Sequence, residues 1–112
     1  MLTLPIKKKW FDMILSGEKK EEYREIKIYW TNRFIRRCMV FDHEMTNKEE
    51  NYLCINEESM STYVIFKNGY GVDSPKIKCK VKIFQGYGKP EWGAEPNKMY
   101  YVLKILSVEK ID

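Results

Sequence analysis

The spacing of apolar residues changes period several times along the chain, and each change marks an expected element. Over residues 5–16, Ile6, Trp10, Met13 and Ile14 fall at i, i+4, i+7 and i+8, the spacing of one helix face. Pro5 suits a first helical turn and Gly17 lies just past the last apolar position, so the pattern predicts a helix over 5–16. After Gly17 the period drops to two. Residues 20–26 read as a strand with Glu22 and Arg24 on one side and Glu21, Tyr23 and Glu25 on the other. Residues 29–37 suggest a short second helix, turning Trp30, Phe34 and Ile35 inward and Arg33, Arg36 and Arg37 outward.

Clear periodicity is then lost through residues 42–61, which read as a long acidic loop. Residues 62–67 have the β-branched and aromatic content of a strand, and Asn68-Gly69-Tyr70-Gly71 is turn chemistry. Residues 76–84 alternate strictly, predicting a strand that buries Ile77, Cys79, Val81 and Ile83 and exposes Lys76, Lys78, Lys80 and Lys82. Such a lysine row either protects a sheet edge from pairing with another chain or contacts nucleic acid. A Gly/Pro-rich loop over 86–96 carries Trp92, and residues 99–108 form a last strand with Tyr101, Leu103 and Ile105 on one side. Helices confined to the first third, followed by strands, predict an α+β domain with a closed or nearly closed sheet.

At 112 residues the chain has room for one hydrophobic core, so a single domain is expected over 1–112, with an acidic insertion at about 38–61. Apolar residues make up 44% and charged ones 32%, ordinary globular values that exclude a disordered chain. No apolar run reaches the roughly 18–20 residues of a membrane span, and the first residues lack the apolar stretch of a secretory signal. The expectation is no membrane partner and a cytoplasmic location. Cys38, Cys54 and Cys79 are odd in number and show no metal-ligand spacing, which fits reduced thiols. His43 is the only histidine, so a histidine-rich metal site is excluded; a solvated loop residue is its plain alternative to a triad member. Neither a metal nor another cofactor is expected.

Charge sharpens this picture. The formal charge is +4, yet residues 42–61 hold six acids against one base, −5, which leaves +9 on the rest of the chain. That imbalance favours anionic partners. It also raises the expectation that the acidic segment lies over a basic cleft and competes with nucleic acid. Lys7, Lys8 and Lys9 crowd the first turn of the expected helix, where the dipole disfavours cations, so helix stability does not account for them.

Between the first helix and first strand, Ser16-Gly17-Glu18-Lys19-Lys20-Glu21-Glu22-Tyr23-Arg24 contains Gly17-x-Lys19-x-x-Glu22-x-Arg24. This resembles the GxKxxExR signature of the ASCH domain family, within the PUA-like superfamily. Tyr29-Trp30 with Arg33-Phe34, Phe66-Lys67-Asn68-Gly69-Tyr70, Glu91-Trp92-Gly93-Ala94-Glu95 and Tyr100-Tyr101-Val102-Leu103-Lys104-Ile105 follow in matching order. The resemblance implies a small PUA-like β-barrel of five to six mostly antiparallel strands, flanked by two or three short helices. It further implies a basic cleft binding RNA or a small nucleotide or nucleoside, with Lys19, Lys20, Glu22, Arg24, Asn68, Tyr70 and Trp92 as candidate binding residues.

The chemistry of these side chains is compatible with that role. Arg24 offers a planar fork to phosphate and Lys19 a point charge. Glu22 accepts hydrogen bonds from a base amino group or a ribose hydroxyl. Tyr70 and Trp92 can stack on a base, or plug a barrel end instead. An internal ion pair of Glu22 with Arg24 or Lys19 is the structural alternative. One ASCH-like subfamily hydrolyses the amide of acetylated cytidine with a threonine nucleophile, whose position here is Glu22. A carboxylate cannot perform that acyl transfer, so an enzyme of this kind, or a ribonuclease, would use Glu22 as a base toward water with Lys19 stabilising the oxyanion.

Overall fold

Leu2 and Leu4 alternate with Thr3 and Pro5, and the computed structural model, which describes residues 2–35 and 61–111, places them in a strand, β1 (Leu2–Pro5). The expected helix therefore starts later, as α1 (Lys8–Ser16), with Lys7 extended at its N-terminus. Pairing decides the competition for the chain's start. β1 runs parallel to β3 (Ser61–Lys67), in register from Leu2 opposite Val64 to Pro5 opposite Lys67. Pro5 is tolerated because, among the described residues, β1 is an edge strand with β3 as its one neighbour. Ile6 is buried, but from the connection and not from the helix; Phe11 and Ile14 are the residues that α1 buries.

β2 (Glu21–Glu25), α2 (Ile28–Ile35), β4 (Lys76–Tyr87) and β5 (Met99–Ile111) complete the fold, with a 3-10 turn at Pro90–Trp92. The sheet order is β1-β3-β4-β5-β2, and every neighbouring pair except β1 and β3 is antiparallel. The expected small barrel is thus a curled five-stranded mixed sheet, a half-barrel with two helices. Of the closed or nearly closed sheet expected, the described residues form the nearly closed one: strand pairing does not join β1 to β2, which lie at its edges.

Both strands of the last hairpin are longer than their alternation suggests. β4 continues through Gly86, placed above in a loop, and β5 continues to Ile111. A register shift between Lys80 and Val81 interrupts their ladder, and such irregularities bend and twist a strand. β3 pairs with the first half of β4, Lys76 to Lys82, while β2 pairs with the first half of β5, Tyr100 to Lys104. The two outer segments therefore sit toward opposite ends of a long bent ladder.

Ile77, Cys79, Val81 and Ile83 turn inward as predicted and join Leu2, Leu4, Val64, Phe66, Tyr101 and Leu103 in one core. Phe11, Ile14 and Phe34 belong to the same cluster, so both helices pack on the concave face. Phe34 stacks on Trp30 and meets Tyr101 edge to face. Burial pushes the Cys79 thiol up to about 12. Loop residues 88–98 cover part of the other face, where Gly88 lies so close to Tyr23 and Ala94 that an added Cβ would stand 2.6 Å from each.

The four lysines of β4 face away from the core, but edge protection is overturned as their explanation. β4 is central, hydrogen-bonded to β3 on one side and β5 on the other. The acidic segment, with Cys38, His43 and Cys54, lies outside the described residues apart from Ser61, as do Arg36 and Arg37. No helix among the described residues is long and apolar enough to cross a membrane.

Candidate functional site

Gly17 ends α1 in the left-handed conformation, φ 87°, and its N–H returns to the Ile14 carbonyl. This turn throws the chain back so that the Lys19 N–H bonds the Met13 carbonyl, and the next carbonyl, of Lys20, accepts from Ile105 of β5. Lys19 is thereby pinned between helix and sheet. Its side chain is 1% exposed. The ammonium donates to the Trp92 carbonyl at 2.5 Å, pairs with Glu22 Oε1 at 3.2 Å and lies over the rings of Trp10 and Tyr23 at 4.6 Å and 4.9 Å. Burial lowers its pKa from the ordinary lysine value, and the neighbouring Glu22 carboxylate partly opposes that shift.

Alternation along β2 carries the next two members. Glu22 sits opposite Leu103 and Arg24 opposite Tyr101, both core residues, so the predicted shared face of Glu22 and Arg24 is the concave one. Glu22 Oε2 accepts from Arg24 Nη2 at 2.9 Å, and the same nitrogen donates to the Pro5 carbonyl at 2.8 Å. A side chain of one edge strand thus reaches the backbone of the other. Arg24 bridges the seam that strand pairing leaves open. Its guanidinium also lies 5.1 Å from the Trp30 ring, while its Nε is buried with no hydrogen-bond partner among the described residues.

A cleft of about 270 Å³ opens at this seam, lined by Pro5, Ile6, Lys7, Trp10 and the Glu22-Tyr23-Arg24 run. A second, of about 330 Å³, shares Pro5, Ile6 and Lys7 and adds Asn68, Gly69 and Tyr70. The two adjoin along the connection from β1 to α1. Tyr70, 92% exposed, stands at the far rim. Asn68 shapes the wall: its side-chain amide donates to the Ile6 carbonyl at 2.9 Å and its N–H to the Pro75 carbonyl.

The structure therefore brings Lys19, Glu22 and Arg24 together and places Asn68 and Tyr70 on the adjoining cleft. Trp92 contributes its carbonyl to Lys19, and its ring is covered by the Lys89 ammonium at 4.7 Å. Lys20 is exposed and lines neither cleft. Lys7 stands out in the sequence only as one of three lysines suited to phosphate, and Trp10 and Trp30 were missed as site residues. The lysines placed against the helix dipole were the available signal for Lys7; Trp10 and Trp30 were read only as inward-facing helix residues. Tyr23, on the other face of β2, donates to Glu21 at 2.7 Å and accepts from the Lys89 N–H. Burial and that Glu21 bond push its hydroxyl well above the usual tyrosine range, keeping it a donor. No group of three or more metal-ligating side chains occurs among the described residues.

Compared with family models, with curated proteins and with solved structures, the chain matches none.

Proposed function

We propose that this protein binds RNA, or a free nucleotide or nucleoside, by holding one nucleotide unit in the seam cleft, as a small PUA-like domain of the ASCH type. The observation that carries the reading is the Arg24 guanidinium. It lines the cleft and retains a buried donor, Nε, with no acceptor among the described residues. A buried unsatisfied donor is costly, so a ligand oxygen that reaches the Arg24 guanidinium gains by satisfying it.

The surrounding groups divide the work. Tyr70 offers an exposed ring for a base at the outer rim, and Trp10 forms an apolar wall of the inner cleft, its ring held by the Lys9 and Lys19 ammonium groups at 4.6 Å each. Lys7, common to both clefts, is placed for a phosphate. Glu22 has both oxygens oriented by cations and presents its remaining lone pairs to a base amino group or a ribose hydroxyl. Lys19 acts through Glu22, since its own ammonium is enclosed by Trp92, Trp10 and Tyr23. The adjoining clefts together fall within the roughly 300–1,000 Å³ of small-molecule sites.

The test is a thermal-shift and mass-spectrometry screen against nucleosides, acylated cytidines, nucleotides and short RNAs, with Glu22→Gln and Trp10→Ala in parallel. A melting temperature raised by a nucleotide, lost in Trp10→Ala and unaccompanied by product, supports binding. Product that disappears with Glu22→Gln makes the chain a hydrolase, and no shift with any compound sinks the nucleotide reading.

A further inference from the structure

The lysines of β4 need an explanation once the strand is seen to be central. On the sheet face opposite the core, Lys76, Lys78, Lys80 and Lys82 run along β4, with Lys67 of β3 directly opposite Lys76 and Lys104 of β5 directly opposite Lys82. Like charges placed opposite each other in a sheet are destabilising. Two carboxylates occupy paired positions in these rows, Glu109 opposite Lys78 and Glu21 opposite Lys104. The crowding is felt at Lys82, whose pKa is lowered first by desolvation and then by Lys104. The like-charge pairs Lys67–Lys76 and Lys82–Lys104 do not favour the sheet.

The row also has a direction. Lys67 immediately precedes Asn68, Gly69 and Tyr70, the far wall of the adjoining cleft, and its carbonyl accepts the Ile6 N–H from the near wall. From there the lysines recur at every second residue of β4, a step of about 6.6 Å and close to one phosphate repeat of an extended strand. Tyr63 lies within the row, half-exposed, with the Lys78 ammonium 4.8 Å from its ring. Regularly spaced cations beside an aromatic ring suit a single-stranded backbone. An anionic membrane would be met better by cations rimming an apolar patch.

We propose that this lysine row is a second binding surface, along which the phosphate backbone of single-stranded RNA runs as it leaves the seam cleft. The proposal rests on the nucleotide reading of the cleft and extends it: the ligand is a polynucleotide several units long. The row supplies affinity without base preference, and the cleft supplies the recognition of one unit.

The experiment measures three ligands on the full chain: a fluorescent 12-mer of randomised RNA, the four nucleoside monophosphates, and phosphatidylserine vesicles. Each is tested against the wild type, Lys78→Glu/Lys80→Glu and the milder Lys78→Gln/Lys80→Gln, with far-UV circular dichroism to confirm folding. The charge reversal is expected to weaken the 12-mer at least tenfold. It should also lower the slope of log affinity against log salt by about 1.4, two contacts at roughly 0.7 each for single strands, while monophosphate binding stays unchanged. Equal 12-mer affinity in all three proteins overturns the row and leaves the cleft standing. Monophosphate binding without 12-mer binding overturns it likewise. Failure of both nucleotide ligands removes the cleft reading and the row together, and vesicle binding lost in the variants in place of RNA binding reassigns the lysines to a membrane surface.

Discussion

Two groups of cations lie on opposite faces of one sheet, and the sheet holds them by different means. At the concave seam, Lys19 and Arg24 share Glu22 and complete their coordination with the Trp92 and Pro5 carbonyls and the faces of Trp10, Tyr23 and Trp30. On the outer face, six lysines stand in adjacent rows with two facing carboxylates. A buried charge survives only with partners close by, so the seam is arranged by electrostatic necessity. Along β4 the lysine stems are half-buried and lie on the sheet while their ammonium heads reach water, where a charge is screened and needs no fixed partner, so folding alone does not call for a row of like charges there. The seam therefore makes a structural role and a binding role hard to separate, whereas the lysine row separates them cleanly.

Removing one cation from each group should give very different losses of stability. Lys19→Met should cost about 3 kcal/mol, because it strips a buried partner from Glu22 and an N–H donor from the Trp92 carbonyl. Lys80→Met should change stability by less than about 0.5 kcal/mol. Urea unfolding of both variants decides the matter; similar costs would mean that the two groups are held alike.

A second variant probes how the seam is supported from the other face. Gly88→Ala places a Cβ 2.6 Å from the Tyr23 ring and from Ala94. The loop must shift, and with it the Trp92 carbonyl that holds Lys19. A loss of about 1–3 kcal/mol is expected, as for overpacking, together with weaker nucleotide binding at the cleft. Destabilisation with unaltered binding would show that the Trp92 carbonyl does not tune the site.

The smallest effect runs in the opposite direction. Lys76→Glu replaces a like-charge pair with Lys67 by an opposite-charge one, and should stabilise the protein by about 0.2–1 kcal/mol. The gain should shrink in high salt, as measured by thermal unfolding at two ionic strengths. Any loss of stability would show that the lysines support the sheet after all.

Local features of the fold were readable because their signals are local. The two-residue period of β4 and β2 separates core from outer residues wherever the strands pair, so Ile77, Cys79, Val81 and Ile83 were placed correctly, as were Glu22 and Arg24 on one face. The helix spacing found α1, yet it also claimed Pro5 and Ile6. β1 was missed because four residues carry little pattern, and its partner β3 begins far along the chain. Gly86 was assigned to a loop for its residue type, whereas the long ladder with β5 holds it extended.

The candidate site divides along the same line. Local pattern was enough to say which residues alternate, where the chain turns at Gly17, and that a carboxylate stands between two cations at Lys19, Glu22 and Arg24. Those properties depend on the nearest few residues. It took the folded chain to make β4 central, to carry Arg24 across the seam to Pro5, to bring the Trp92 carbonyl to Lys19, and to line the cleft with Lys7 and Trp10. Each of these joins segments distant in sequence. Their meeting depends on strand order and on the curl of the whole sheet, which no local period encodes.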